Sequence, residues 1–474
     1  MQGADVAFLL PYIFIAGGAV VLMLCIAFYR NYTLSFFITL ASLAAAMAVF
    51  LSMRGLPARV TSLIVIDTYA LFYSVLIVLA TVAVVLMSYR HLRSRPGIRE
   101  EYYVLLLLAC LGSLVLVCAS HLAAFFLGLE LLGVSLYALI SYQRMTDIGI
   151  EAGIKYLILA GASSAILLLG MALLYYVSGS MEFAAIASSL SRSGGGTVAG
   201  VAGIALTVVG IGFKLGVVPF HMWTPDVYEG SPAPITGFVA SVSKGSMFAL
   251  LVRYFAGMDL GVSLLAVFTV IAVASMLAGN LLALFQNNVK RILAYSSIAH
   301  MGYALVAFLS AGQTRVVAVT FYLVAYIITA LGGFGVVAAL SGPDREGDSI
   351  EDYRGLFRRS PWLTFMFSLF LLSLAGLPLT AGFLGKFYVL RAGVSSGLWL
   401  PVISLVAGSA IGLFYYLRVM IIMFVPADTE ETAAALEPGI LQTVVLAALA
   451  GSLLWVGLYP GNVIHAIAAM RMGM

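Results

Sequence analysis

Charge is what this sequence most lacks. Of its 474 residues only 9% are Asp, Glu, Lys or Arg, while 63% are hydrophobic; a soluble globular chain carries about 25% charged residues. That deficit excludes a soluble enzyme or a nucleic-acid-binding protein and leaves a polytopic, all-α membrane protein. Cysteine is nearly as scarce. The three present, Cys25, Cys110 and Cys118, lie in apolar stretches and form no CxxC pair, so they read as packing residues rather than metal or cluster ligands. No GxGxxG or Walker motif occurs, and no nucleophile, base and orienting group form a hydrolytic set. No metal or cofactor is expected in this chain; electrons, if involved, move in another protein. The opening MQGADVAFLLPY begins with an acid rather than a basic region, and its apolar run is too long for a signal peptide, so none is expected.

What is abundant is apolar sequence in runs of spanning length, about 20 residues each. Fourteen candidate spans fall near 6–29, 32–53, 63–89, 102–119, 121–142, 150–177, 200–220, 232–256, 260–285, 289–310, 315–340, 361–392, 400–425 and 437–460. No soluble domain interrupts them. The longest polar connection is SGPDREGDSIEDYRGLFRRSP, and the glycine-rich SRSGGGTVAG reads as a flexible loop. Counting Arg and Lys with the amino terminus on one side places thirteen on the opposite side and seven on the first. The positive-inside rule then makes the richer side cytoplasmic and puts both termini outside.

Two spans look interrupted. The seventh carries KLGVVPFH and the twelfth AGLPLTAGFLGK, each with glycine and proline inside an apolar run. Proline removes a backbone donor and disfavours helix in the residue before it, so both spans are expected to break. Breaks at matching places point to an internal repeat. Spans 4–8 and 9–13 would be the two halves, and because five is odd the second is inverted. The expected divisions are three N-terminal helices over 1–99, a first repeat over 100–256, a second over 257–425, and a final helix with its tail over 426–474.

The few charges inside the spans carry the functional signal. Nineteen arginines do the loop work, whereas four of the five lysines, Lys155, Lys214, Lys244 and Lys386, fall within or at the edge of spans. Arginine keeps its proton almost unconditionally; lysine can surrender it when desolvated. Glu130 and Lys244 each lie about 15 Å into their spans at 1.5 Å per residue, near mid-membrane, with His300 at similar depth. Lys214 and Lys386 adjoin the two breaks. Glu130 is the one acid near the centre of a span and is the expected electrostatic partner of a lysine, in an ion pair whose breaking would release a proton.

Blander readings stand beside these. A Glu130–lysine pair could be a static bridge that fixes helix packing. Lys155, a turn or so into its span, could snorkel to the interface. His121 and His465 read as interfacial, and Asp226 and Glu229 mostly as solvated loop and helix-start residues. His221, just past the first break, fits either a cap or a water chain. Tyrosine and tryptophan at span ends read as interface anchors.

The segments FKLGVVPFHMWTPDVYEGSPAPITGFVASVSKG, FFLGLELLGVSLYALISY, NNVKRILAYSSIAHMGY and DYRGLFRRSPWLTFMFSLFLLSLAGLPLTAGFLGKFYVL resemble the antiporter-like membrane subunits of respiratory complex I. The resemblance covers roughly residues 100–425. It implies a fourteen-span fold with inverted five-helix repeats and a proton path through Glu130, Lys214, Lys244 and Lys386. Lys155 and His300 would support that path, and His221 joins them as the candidate water-chain member. It also implies that NADH oxidation, FMN, iron–sulfur clusters and quinone reduction belong to sister subunits, with this chain a non-redox part of the translocase. The implied partners are a neighbouring antiporter-like subunit, small membrane subunits, the peripheral redox arm and lipids, in a bacterial or archaeal cell membrane. The alternatives are an Mrp-type or stand-alone cation/proton antiporter, or the equivalent subunit of a hydrogenase or F420-type dehydrogenase complex.

Overall fold

The structure, a computed structural model, describes every residue except 1–2, 54–57, 96, 98, 143–146, 193–196, 259–260, 344, 427–438 and 473–474. Arg54, Arg144 and the centre of the glycine-rich loop, all used in the sequence reading, therefore lie outside the described residues.

Helices α1 (Gly3–Phe28) and α2 (Tyr32–Ser52) form a tight antiparallel pair, with Asn31 capping α2 through a bond from Leu34 N. A short hairpin, β1 (Ala58–Arg59) and β2 (Val65–Ile66), follows on the amino-terminal side. Then come α3 (Thr68–Arg93), α4 (Glu101–Cys118), α5 (Leu122–Ile140) and α6 (Asp147–Ser178). The short α7 (Phe183–Arg192) runs between α6 and the seventh span. That span is split into α8 (Val198–Leu215) and α9 (Trp223–Gly230). The eighth is continuous but locally widened: α10 (Ala233–Phe238), a π-turn over Val239–Ser243, and α11 (Lys244–Tyr254). The second half holds α12 (Gly261–Ala283), α13 (Val289–Phe308), α14 (Gly312–Leu340), the one-turn α15 (Leu356–Arg359), the split pair α16 (Pro361–Ala375) and α17 (Ala381–Ser395), and α18 (Trp399–Phe424). Helices α19 (Ile440–Leu458) and α20 (Gly461–Ala468) close the described chain.

Twelve helices among the described residues are long and apolar enough to cross a bilayer. The 20-residue α13 and the split α16–α17 pair bring the crossings to the expected fourteen. The hairpin, α7, α20 and the π-turn were not legible beforehand: the first three are too short to carry a spanning pattern, and the last leaves hydropathy unchanged.

The two breaks are built alike. Gly216 adopts φ +68° and Gly376 φ +84°. At the first, Gly216 N bonds Phe213 O and Val217 N bonds Gly212 O; at the second, Gly376 N bonds Ser373 O and Leu377 N bonds Leu372 O. Both are Schellman closures, which need a residue at positive φ and so favour glycine. The backbone groups freed by each break find partners inside the protein, as a lipid environment requires. Trp223 Nε1 donates to Phe213 O at 2.9 Å, and Val218 N to Ser275 Oγ at 2.9 Å. At the second break Lys386 Nζ donates to Ala375 O at 2.9 Å.

Burial shows which helices form the axis. The eighth span is wholly enclosed by the rest of the chain and α14 is 83% enclosed, against 33% for α1, α2 and α19. Every residue of α13 but Arg291 and Tyr295 is buried. The bundle therefore has a protein-lined interior containing the eighth, tenth and eleventh spans, and both broken spans pack against it.

Candidate functional site

Three lysines end inside this interior. Lys214, in the last turn of α8, is 4% exposed; Lys244, where the π-turn passes into α11, is fully buried; Lys386, in α17, is 6% exposed. Lys214 Nζ donates to the Tyr156 hydroxyl of α6 at 3.0 Å. Lys244 Nζ donates to Ser297 Oγ of α13 at 2.7 Å and faces the rings of Tyr228 at 5.4 Å and Trp223 at 6.0 Å. Lys386 Nζ donates to Ser409 Oγ of α18 at 2.7 Å, as well as to Ala375 O, and lies 5.2 Å from the Tyr303 ring centre. An ammonium over an aromatic face is attracted by the ring quadrupole, most strongly where water is excluded.

The break glycines make room for these amines. A Cβ on Gly216 would lie 3.3 Å from Lys244 Nζ, and one on Gly376 would lie 2.8 Å from Lys386 Cδ. Each break thus brings its backbone against a lysine, and the seventh span carries Lys214 two residues before its break.

His300, 5% exposed on α13, is buried in the same interior. Its Nδ1 meets the Tyr322 hydroxyl at 2.6 Å and its Nε2 the Tyr416 hydroxyl at 3.3 Å. Tyr416 in turn bonds Ser296. One turn earlier on α13, Ser297 takes a bond from Tyr326 at 2.6 Å. Tyr322 and Tyr326 sit four apart on α14, Ser297 and His300 three apart on α13, so the two helices face each other through two hydroxyl rungs. The Tyr303 ring packs edge-on against His300, at 5.4 Å between centres, while also facing Lys386.

The other predicted residues fall elsewhere. Glu130 is the ninth residue of α5, half-buried at mid-span, and accepts a 2.5 Å bond from Ser164 of α6. It makes no ion pair with Lys214 within 4.0 Å. The expected direct pair is replaced by two hydroxyl contacts, both supplied by α6. Lys155 lies nearer the amino-terminal end of α6, 42% exposed, paired with Glu151 at 2.7 Å and Asp226 at 2.8 Å. It stands at the interface, away from the mid-depth row. His221 is half-buried in the break, and its Nδ1 has no hydrogen-bond partner among the described residues.

Several charges near span ends instead stand in bonded clusters, some half-buried and some fully buried. Asp226 and Glu229 both hold Arg291, at 2.9 and 2.6 Å. Lys290 is completely buried and donates to Ser231 O at 2.7 Å. It lies 3.6 Å from Glu346, which also binds Arg95 at 2.6 Å and His91 at 3.2 Å. Burial pushes the Glu346 carboxyl up, but Lys290, His91 and Arg95 together outweigh it and hold the group well below the usual carboxylate range. On the opposite side Arg253 makes two 2.8 Å bonds to Asp67, which also caps α3 through Ala70 N. Hydropathy cannot separate such residues from loop charges, because all lie within a few positions of a span end.

The hydroxyl groups around the amines were missed as well. Ser297 and Ser296 stood inside a segment singled out for His300, yet serine and tyrosine carry no signal of their own in an apolar helix. Among the described residues no group of three His, Cys, Asp or Glu side chains could hold a metal ion. What the arrangement offers is proton-accepting and proton-donating groups linked across the bundle at half-depth.

Comparison with known proteins shows the family of the chain. The family described as NADH:quinone oxidoreductase/Mrp antiporter, transmembrane, matches residues 119–412. NADH-quinone oxidoreductase subunit N of Nitrosospira multiformis is 49% identical, covering 99% of this chain and 97% of its own. A subunit in the structure of respiratory complex I from Thermus thermophilus with bound aureothin superposes with a TM-score of 0.84 at 32% identity, covering 97% of this chain and all of the other. The Mrp complex from Dietzia sp. DQ12-45-1b, at 20% identity and a TM-score of 0.86, shares the fold. The chain belongs to the NADH:quinone oxidoreductase/Mrp antiporter family of membrane subunits.

Proposed function

We propose that this chain is the proton-translocating subunit N of an NADH-quinone oxidoreductase of the complex I type. The observation that carries the reading is the placement of Lys214, Lys244 and Lys386 inside the bundle at the two breaks and the eighth span. A charged side chain at mid-bilayer is costly, about 3 kcal/mol on insertion scales, and three independent lysines give no packing advantage that leucine would not. Near full-length identity to subunit N supports the NADH-linked assembly over a free-standing antiporter.

In this reading protons enter from the arginine-rich side, which is cytoplasmic, and both termini face outward. Glu130 with Ser164 and Lys214 with Tyr156 form the entry end, Lys244 and His300 the middle, and Lys386 the outward end. His221 and Lys155 lie along the approach from the cytoplasm. Residues 100–256 and 257–425 form the two repeats, flanked by 1–99 and 426–474. FMN, iron–sulfur clusters and quinone sit in sister subunits, and this chain carries no redox group. Lys244 occupies the midpoint because the π-turn places it against the Gly216 break and against Ser297 together.

The test is Lys244→Ala in the assembled complex, reconstituted in vesicles. Proton uptake driven by NADH should collapse while the subunit stays in the purified complex. Normal pumping per electron in that variant overturns the reading. Sodium–proton exchange by this chain without a redox partner would instead establish the antiporter.

A further inference from the structure

The five lysines differ in what receives their hydrogen bonds. Lys155 is held by two carboxylates, Glu151 and Asp226. Lys290 is held by the Ser231 carbonyl and the Glu346 carboxylate. Carbonyls and carboxylates only accept, so they take N–H bonds from an ammonium or an amine but cannot donate to the lone pair of a neutral amine. Lys214, Lys244 and Lys386 each donate to a hydroxyl, Tyr156, Ser297 and Ser409 from three different helices, with Lys386 donating to the Ala375 carbonyl as well. A hydroxyl rotates. It accepts from an ammonium and, turned round, donates to the lone pair of an amine.

We propose that Tyr156, Ser297 and Ser409 are positioning residues, each of which serves its lysine in both protonation states. The inference rests on the proton-translocation reading above and names residues that reading leaves out.

Ser297 shows how the exchange balances. Its Oγ accepts from Lys244 at 2.7 Å and from Tyr326 at 2.6 Å, which occupies both lone pairs. Its own proton is left for the Tyr228 oxygen, 3.2 Å away. When Lys244 is neutral, Ser297 turns its proton to Nζ and Tyr228 turns its own to Ser297. No atom must move far: two hydroxyls rotate, and every buried polar group keeps a partner before and after. Alanine at 297 removes the hydrogen-bond acceptor that Lys244 has among the described residues and leaves it facing the Trp223 and Tyr228 rings.

The location fits. Ser297 is 1% exposed, three residues before His300 on the same face of α13. The His300–Tyr322 rung lies one turn further along α13, while the Ser297 proton itself points to Tyr228.

Three variants of the assembled complex test this: Ser297→Ala, Ser297→Thr and Lys244→Ala. Ser297→Ala should lower NADH-driven proton uptake about tenfold or more, the range expected for losing one hydrogen bond to a charged group. It should also move the alkaline limb of the pumping profile toward lower pH, because the ammonium form has lost its acceptor. Ser297→Thr, which keeps the hydroxyl, should return both to within about twofold of wild type on the same reasoning. Wild-type rate and pH profile in Ser297→Ala, with Lys244→Ala inactive, overturns this role for the hydroxyl and leaves the translocation reading standing. An active Lys244→Ala overturns both. Where Ser297→Ala fails to assemble, Tyr156→Phe, which removes only an oxygen beside Lys214, carries the same test with the same outcomes.

Discussion

Adding one methyl group at the second break tests whether the glycine is there for the turn or for the lysine. Gly376→Ala introduces two perturbations. The first is backbone: alanine at φ +84° is strained by about 1–2 kcal/mol. The second is contact, since the new Cβ lies 2.8 Å from Lys386 Cδ and 3.2 Å from Nζ. Carbon atoms in ordinary contact stand about 3.5–4.0 Å apart, so the lysine stem must retreat by roughly 1 Å. Lys386 Nζ now lies 2.7 Å from Ser409 Oγ and 2.9 Å from Ala375 O. The same retreat opens both to nearly 4 Å, beyond the hydrogen-bond range of about 3.2 Å. Each bond to a charged donor contributes about 1.5–3 kcal/mol, and loss of one alone is about tenfold in an equilibrium. Gly397→Ala is the control: its φ is +71°, and a Cβ there meets nothing within 4 Å. Both variants carry the backbone strain; only one moves the lysine. In vesicles containing the assembled complex, NADH-driven acidification measured with a pH-sensitive dye should fall at least about tenfold in Gly376→Ala and stay within about twofold of wild type in Gly397→Ala. Equal pumping in the two variants refutes the claim that the break exists to seat Lys386.

The buried carboxylates give further outcomes. Glu346→Gln leaves Lys290, His91 and Arg95 without their shared anion, and losing one partner of such a cluster costs about 3–5 kcal/mol. Because the folded carboxyl is held below its ordinary value, the stabilisation is complete above the unfolded value of about 4.3 and fades as pH falls through the lower folded one. The gap in thermal stability between wild type and Glu346→Gln should therefore be widest at neutral pH and close under acid; a pH-independent gap contradicts the assignment. Asp67→Asn should destabilise the complex similarly by stranding Arg253, whereas the double change Asp67→Leu with Arg253→Met should recover much of that loss in a thermal melt. Lys155→Ala should reduce pumping by less than about threefold, since its exposed ion pairs are screened and contribute about 1 kcal/mol or less; a complete loss would place Lys155 on the obligatory path.

The residues divide clearly between those the sequence made visible and those it hid. Length and polarity show the spans, because a bilayer demands about 20 apolar residues whatever their order. The two breaks were visible through glycine and proline, which act on the backbone directly. Lys214, Lys244 and Lys386 were visible because charge is conspicuous in oil. The Glu130–Lys214 relation was only half visible: both residues could be placed at depth, but nothing in one dimension shows that Ser164 and Tyr156 of α6 stand as their partners. The same holds for Ser297. Ser296, Ser297 and the four tyrosines of α13 and α14 look alike in sequence, and only the facing of the two helices selects Ser297 and Tyr326. Lys290 and Arg253 misled for a different reason. Position near a span end reads as interface, while the 11–12 connection and the start of α3 fold back to cover them.

Glu130 poses the remaining problem. It is half-exposed at mid-span, and Leu127 and Val134, three residues before it and four after, are 61% and 59% exposed on the same face. A carboxylate at that depth facing lipid costs about 3 kcal/mol or more, and Ser164 supplies one hydrogen bond, which offsets only part of it. The proposed function therefore predicts that another subunit of the complex covers this face and that rearrangement elsewhere reaches Glu130 through that cover. An approaching or departing charge on the neighbour acts on Glu130 without a change in this chain's own bonds, and Glu130 then acts on Lys214 at longer range than a direct pair would. The consequence is measurable. In the intact complex, cysteine at Leu127 or Val134 should cross-link to one neighbouring membrane subunit and resist a membrane-soluble thiol reagent, while cysteine at Ile403 of α18, 63% exposed, should react freely. Equal labelling at all three positions would mean that Glu130 faces lipid, and the route from neighbour to lysine would be lost.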